Sequence, residues 1–210
     1  MLFRSVKHPL VGKIWDANTQ QWAIERDVSI IAANLSRNDA RAVFTNGFAS
    51  LPKIVPPDLL DRAWNTARAE TLLRELTDSH CGQLPPQMAP GMANAQRARD
   101  AVMATVIALR APQQERVALI AGAGHVRRDR GVPIYLYIQN PVARVVVIAM
   151  KEVEDGKNTA ASYEERISGE APPYDFIWFT PRAARKDPCE GMTLSGLKQP
   201  DTKQSATKTP

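Results

Sequence analysis

Cysteine is scarce in this 210-residue chain, which contains only two, Cys81 and Cys189. They lie far apart in sequence and form no CxxC pair, which argues against a zinc knuckle and against a disulfide framework. A single long-range disulfide is compatible with this spacing, but two free thiols are the expected state.

Long hydrophobic runs are also absent. No stretch approaches 18 consecutive apolar residues, so no transmembrane helix is expected. The first 15 residues contain Arg4, Lys7, His8 and Pro9, where a signal peptide would need an apolar segment. No export signal is therefore predicted.

Positive charge is present but poorly placed for binding nucleic acid. The net charge is +5, and residues 181–210 hold six basic against three acidic side chains. The rest of the chain is close to neutral, which is a weak electrostatic footprint for DNA or RNA. Nucleic acid is therefore not expected as a partner.

The apolar pattern favours alternating strands and helices. Residues 28–33 (VSIIAA) form a short β-branched run that predicts a buried strand. Ser36 and Asp39 then fit a capping pattern that opens a helix, and Gly47 stands where a helix-terminating glycine belongs.

Two longer helices are predicted at 57–76 and 93–110, separated by a Pro- and Gly-rich loop over 78–92. Three further apolar runs predict strands, at 133–138, 144–150 and 174–179. The order indicates an α/β fold with a mostly parallel sheet, flanking helices and a small helical insertion at about 55–110.

The segment 117–133 (VALIAGAGHVRRDRGVP) places His125 behind a glycine turn that follows an apolar run. A dinucleotide-binding loop starting at Gly122 would need its third glycine where Arg127 stands. No GK[ST] sequence follows, so a phosphate loop is excluded as well.

Two interpretations of His125 stay open. It is either a hydrogen-bonded turn residue or a ligand-facing imidazole at the carboxyl end of a strand, able to bind a metal or haem iron or to act in acid–base chemistry. Likewise Arg127, Arg128 and Arg130 are either solvated surface charge or anchors for carboxylates and phosphates.

Several segments together resemble the ChaN-like haem-binding uptake proteins of the Tiki superfamily. The segments are AGAGHVRRDRGVP (121–133), IIAANLSR (30–37), HCGQLP (80–85), AQRARDAVMA (95–104), YDFIWFTPR (174–182) and DPCE (187–190), with Trp15 and Trp22. They occur in the family's order and cover roughly residues 15–190.

The resemblance implies a bacterial, exported and often lipid-anchored protein, located in the periplasm or at the outer membrane and linked to haem or iron uptake. It also implies an α/β fold and a homodimer around stacked haems. The family motifs fall on Gly122, Gly124 and His125 (the second GxxH segment) and on Arg99, Asp100 and Met103 (the R-[DN] helix).

One departure from the family pattern affects the expected chemistry. Nothing here matches the family's Gly-Glu-x-His segment, so the sequence predicts an N-terminally truncated domain over 15–182, followed by a disordered tail over 183–210. A metal-hydrolase site would then be incomplete. The sequence therefore favours haem binding over catalysis. The alternative is a remnant of a Tiki-like hydrolase in which His125 is a metal ligand. A non-binding paralogue is the third hypothesis.

Haem binding requires an apolar slot, one or two axial iron ligands and cations for the propionates. The candidate ligands are His80, His125 and, as thiolate, Cys81; the candidate cations are Arg99, Arg127 and Arg128. A divalent metal at His125 is the alternative cofactor. The location of this chain itself is not predicted.

Overall fold

A computed structural model describes residues 17–110, 116–165, 167, 170–187 and 189–190. The N-terminal segment examined for an export signal, Trp15 and residues 191–210 of the predicted tail lie outside the described residues. No described helix is long and apolar enough to cross a membrane.

Within these ranges the structure contains seven α-helices, two β-strands and two short 3₁₀ helices (Gly47–Ser50 and Ala160–Tyr163). The helices are α1 Ala17–Glu25, α2 Arg37–Asn46, α3 Leu59–Arg62, α4 Thr66–Ser79, α5 Ala89–Arg110, α6 Ala123–Val126 and α7 Val132–Gln139. The strands are β1 Ile148–Glu152 and β2 Phe176–Thr180.

The hydrophobic core is built around α5, which packs against α2 and α7. Ala98, Ala101 and Ala104 are fully buried and recur every three residues along α5. Their small side chains let the neighbouring helices approach closely, and Tyr135 of α7 is fully buried against this stripe. The helix that carries the family motif is thus also the central core element.

The helix predicted after Ser36 is confirmed. The Ser36 hydroxyl accepts a hydrogen bond from the Asp39 backbone N–H at 3.1 Å, as an N-cap should. Gly47 ends α2 with a φ of 72°, a conformation that glycine adopts without steric penalty.

The single helix predicted over 57–76 is two helices in the structure. α3 ends at Arg62, and Asn65 caps α4 by accepting a hydrogen bond from the Arg68 backbone N–H at 2.9 Å. The loop predicted over 78–92 is also shorter than expected, because α4 continues to Ser79 and α5 begins at Ala89.

Two strand predictions are wrong. Residues 28–33 form no strand beyond an isolated bridge at Ile30. Residues 133–138 lie inside α7, which begins after Gly131 with a proline in its first turn. A continuous apolar run has no period, so its sequence cannot distinguish a buried strand from a buried helix.

The other two strand predictions are confirmed, with the first displaced toward the C-terminus. β1 and β2 pair in parallel, with Ile148 opposite Phe176 and Met150 opposite Trp178. These four side chains form an exposed apolar face, whereas Ala149 faces the interior. The fold class is α/β, with a parallel sheet of two strands among the described residues.

The prediction of two free thiols is wrong. Cys81 and Cys189 form a disulfide, with their Cα atoms 5.6 Å apart across 108 residues of sequence. Cys81 and Gly82 both have positive φ values, so the chain reverses sharply after α4. Sequence spacing alone could not reveal this proximity, because it depends on where the C-terminal segment packs.

Candidate functional site

The glycine–histidine turn is held by a close backbone approach at Gly131. A Cβ atom there would lie 2.2 Å from the carbonyl oxygen of His125 and 2.7 Å from that of Arg127. The Gly131 N–H donates to the latter oxygen at 2.8 Å. Only glycine fits at position 131. The resulting turn places the side chain of His125 on one side and those of Arg127 and Arg130 on the other.

The apolar run before the turn is not a strand in the structure. Residues 116–122 are irregular, and α6 follows directly. His125 therefore does not lie at the carboxyl end of a strand, as its position behind VALI predicted.

The ring of His125 faces α5. Its Nδ1 lies 2.5 Å from Asp100 Oδ1, and its Nε2 lies 3.2 Å from Gln96 Nε2. A carboxylate only accepts and an amide nitrogen only donates, so Nδ1 donates to Asp100 and Nε2 accepts from Gln96. Both ring nitrogens are therefore engaged within the protein.

Asp100 is almost completely buried beneath this histidine. Burial raises the pKa of its carboxyl from 3.8 to about 6, although the hydrogen bond and the charge of His125 act in the opposite direction. The structure thus brings together Asp100 and His125 from the two family motifs, 25 residues apart in sequence.

The opposite side of the turn carries two buried arginines. Arg127, only 3% exposed, donates to both oxygens of the fully buried Asp129, at 2.9 Å and 2.6 Å. Its Nη1 also donates to Glu165 at 2.8 Å and lies 3.5 Å from Glu75. Such a bidentate pair fixes the guanidinium rigidly.

Arg130 is the second buried arginine, at 2% exposed. It forms an ion pair with Glu75 of α4 and donates to the carbonyl oxygen of Gly124 at 3.3 Å. Its buried Nε has no partner among the described residues. Desolvation lowers its pKa to about 10, so this cation is held at a cost in solvation energy.

Both arginines line a cavity of about 640 Å³ between α4, the glycine turn and β1. The cavity presents four cations and three carboxylates: Arg74, Arg127, Arg130, Lys151, Glu70, Glu75 and Glu165. Lys151 pairs with Glu165, and the ring of Tyr174 lies 5.2 Å from the Lys151 ammonium. Gly124 contributes to the wall, but the rings of His80 and His125 do not.

The other two predicted cations lie elsewhere. Arg99 donates to Asn34 at 2.9 Å and to the Leu35 carbonyl at 3.3 Å. Arg128 donates to the Val145 carbonyl at 2.9 Å and pairs with Asp175. Neither lines the cavity. Of the remaining motif residues, Met103 is buried in the core and Gly122 immediately precedes α6.

His80 stands at the C-terminal end of α4, where it is half-buried. Its Nδ1 lies 2.6 Å from the Leu76 carbonyl oxygen. A carbonyl only accepts, so Nδ1 carries a proton, and in the neutral ring Nε2 keeps its lone pair. Among the described residues Nε2 has no hydrogen-bond partner. Cys81, in contrast, has no thiolate to offer iron, because it is in the disulfide.

Sequence reasoning missed several residues of this site. Lys151 had a signal, since it directly follows the apolar run 144–150 that is predicted as a strand, and α/β ligand sites occur at the ends of strands. Glu75, Glu165 and Gln96 had none, because each is one of many polar residues in its segment. Within the described part of the chain, no three His, Cys, Asp or Glu side chains are grouped to hold a metal ion.

A comparison with known protein families agrees with the resemblance. The family described as haem-binding uptake, Tiki superfamily, ChaN, matches residues 17–136. A solved structure titled "Cofacial heme binding to ChaN of Campylobacter jejuni" is similar to this chain at 20% identity and a TM-score of 0.49. The similarity covers 66% of this chain and 52% of that one, about half its length. No match was found among curated proteins.

Proposed function

The chain belongs to the ChaN family of haem-binding uptake proteins in the Tiki superfamily, and from this premise we propose that it binds haem for haem or iron uptake, without catalysing a reaction. Residues of this chain supply two of the groups that haem binding requires: an imidazole with a free lone pair and cations for the propionates.

The observation that carries the proposal is the tautomer of His80. Histidines that ligate metals commonly donate one ring N–H to a backbone carbonyl, which orients the ring and leaves the other nitrogen free. His80 does this with the Leu76 carbonyl at 2.6 Å. Its Nε2 is therefore the atom proposed to ligate haem iron.

The cationic cavity supports the second requirement. Its volume of about 640 Å³ lies within the range usual for small-molecule sites. Arg127 and Arg130 line it with fixed guanidinium groups, whose geometry suits carboxylates. We assign the propionates to these two side chains rather than to Arg99 or Arg128, whose hydrogen bonds lie outside the cavity.

The alternative of a metal-dependent hydrolase is not proposed. Its expected ligand, His125, has both ring nitrogens engaged with Asp100 and Gln96. Binding a metal there would require breaking one of these hydrogen bonds.

The disulfide supports a location in an oxidising compartment. Structural disulfides such as Cys81–Cys189 form and persist in secreted and periplasmic proteins and are rare in the cytosol. We therefore propose a periplasmic or extracellular location for this chain. The homodimer implied by the family resemblance is part of the same proposal.

The test is a hemin titration of the purified chain, followed by the shift of the Soret band. Wild type is expected to saturate, and His80→Ala to weaken hemin at least ~10-fold, because the axial ligand is lost. His125→Gln is the matched control and should retain affinity. Absence of a saturable shift in wild type, or a larger loss in the control, would contradict the proposal.

A further inference from the structure

We propose that Glu75 and Glu165 bind Arg130 and Arg127 in the free protein, at the positions that the carboxylates of the ligand take in the complex. The ligand displaces both glutamates when it enters the cavity. This inference rests on the proposed function and deepens it. It defines the cavity as a carboxylate-exchange site, in whose free form the arginines are paired with the protein's own carboxylates.

The two buried arginines need counter-ions. Arg127 and Arg130 are 3% and 2% exposed, so both would be buried unpaired charges in the free protein without a carboxylate partner. An unpaired buried cation strongly destabilises a fold. The free protein must therefore supply anions, and it does so from Asp129, Glu75 and Glu165.

The three carboxylates differ in how firmly they are held. The Asp129 side chain is 0% exposed and occupies the Nε and Nη2 edge of Arg127. The side chains of Glu75 and Glu165 are 37% and 48% exposed. They bind the guanidinium atoms on the cavity side and can turn into water, which solvates a released carboxylate well. Asp129 is thus a permanent partner, and the two glutamates are exchangeable.

Exchange also conserves charge in the cavity. A ligand with two carboxylates brings two negative charges, and the departing glutamates take two into solvent. Lys151, which pairs with Glu165, gains the same replacement partner. Arg127 keeps Asp129 during the exchange, and Arg130 passes from Glu75 to the carboxylate of the ligand, so both arginines are paired before and after binding.

The geometry selects a ligand class. Two fixed cations at one wall of a cavity of about 640 Å³ fit a molecule with two carboxylates on one side of a larger frame. The two propionates of a porphyrin have this arrangement. Removing an ordinary contact residue weakens the binding of a ligand. Exchange predicts the reverse for the two glutamates: removing either carboxylate should strengthen binding.

The experiment uses protoporphyrin IX, which has both propionates but no iron, so His80 plays no part in the readout. Affinity is measured by porphyrin fluorescence for wild type, Glu165→Gln and Glu75→Gln. Glu165→Gln is the principal variant because Arg127 keeps Asp129. Asp78→Asn is the control: Asp78 is exposed on α4, the helix that carries Glu75, and it does not line the cavity. Among the described residues no ion pair of it is found.

We expect Glu165→Gln and Glu75→Gln to bind protoporphyrin IX at least threefold more tightly than wild type, and Asp78→Asn to change affinity less than twofold. The gain should vanish with protoporphyrin dimethyl ester, which lacks the carboxylates. Thermal unfolding of each variant checks folding, and added porphyrin should raise the melting temperature of Glu75→Gln more than that of wild type.

The outcomes separate the two proposals. Hemin binding that depends on His80, without a gain in the glutamate variants, overturns the exchange and leaves the proposed function intact. An equal gain in Asp78→Asn also overturns the exchange, because it shows that the loss of any nearby negative charge strengthens porphyrin binding. If neither hemin nor protoporphyrin IX binds, the proposed function fails and the exchange fails with it.

Discussion

Two histidines of this chain differ in how their rings are hydrogen-bonded. His80 lies at the corner between α4 and α5, and His125 lies in the glycine turn. At the turn, Asp100 and Gln96 engage both ring nitrogens. At the corner, a backbone carbonyl holds Nδ1 and leaves Nε2 open. The more conspicuous sequence motif therefore surrounds the histidine that is less available to a ligand.

The difference shows what each motif does in this fold. The GxxH turn connects the core helix α5 to the cavity wall, since His125 contacts α5 while Arg127 and Arg130 face the cavity. The α4 corner is closed by a disulfide, and Gly82 within it faces open space. A close backbone approach at Gly131 shapes the first region, and a covalent bond joins the second to the C-terminal segment.

The largest expected effect comes from breaking the packed region. Gly131→Ala should lower the free energy of unfolding by more than ~3 kcal/mol, which exceeds the usual cost of an overpacked core side chain. The reason is that its Cβ would meet backbone atoms of His125 and Arg127. Gly82→Ala is the counterpart at the corner: its φ is +70° but the space is open, so a loss of about 1–2 kcal/mol is expected. Urea denaturation measures both. Equal losses would contradict the proposed contrast.

The next effect concerns the covalent tie. Replacing both Cys81 and Cys189 by serine should lower the free energy of unfolding by about 2–4 kcal/mol, because the unfolded chain regains the freedom of a long loop. Hemin affinity should fall as well, since Cys81 adjoins His80. Reductant should produce the same loss in wild type and none in the double variant. A wild type insensitive to reductant would refute the structural role of the disulfide.

The last effect is a pH dependence that comes from Asp100 of α5, which lies beneath the glycine turn. The folded-state pKa of Asp100 is raised to about 6, so its contribution to stability is greatest below pH 4 and is lost as the pH rises through 6. Asp100→Asn keeps an oxygen that can accept from His125 but does not titrate. Between pH 4 and 7, wild type should lose stability relative to this variant.

The control for this pH dependence is Asp61→Asn, which removes the same charge from an exposed position on α3. Its unfolding free energy should follow that of wild type across the range. Parallel curves for Asp100→Asn and wild type would show that burial of Asp100 does not govern the dependence.

Local signals predicted part of this architecture well. The Ser36 cap, the end of α2 at Gly47 and the strand at Phe176–Thr180 are confirmed, because each depends on neighbouring residues only. The run at 133–138 was assigned wrongly, since its burial on all sides removes the periodicity that separates helix from strand.

The candidate site was predictable in its motifs but not in its partners. Asp100, His125 and Arg127 are recognisable from the family pattern. Their contacts with Gln96, Asp129 and Glu165 are not, because surface carboxylates and amides carry no local mark of the side chain they will meet.

By itself, the sequence determined the family, the caps of its helices and which segments are apolar enough to be buried. The tertiary structure alone decided that Cys81 meets Cys189, that His125 faces α5 and that two arginines share a cavity with two partly exposed glutamates. The physical reason is range: capping and burial act over a few residues, whereas ion pairs and disulfides join atoms that only the packed chain brings together.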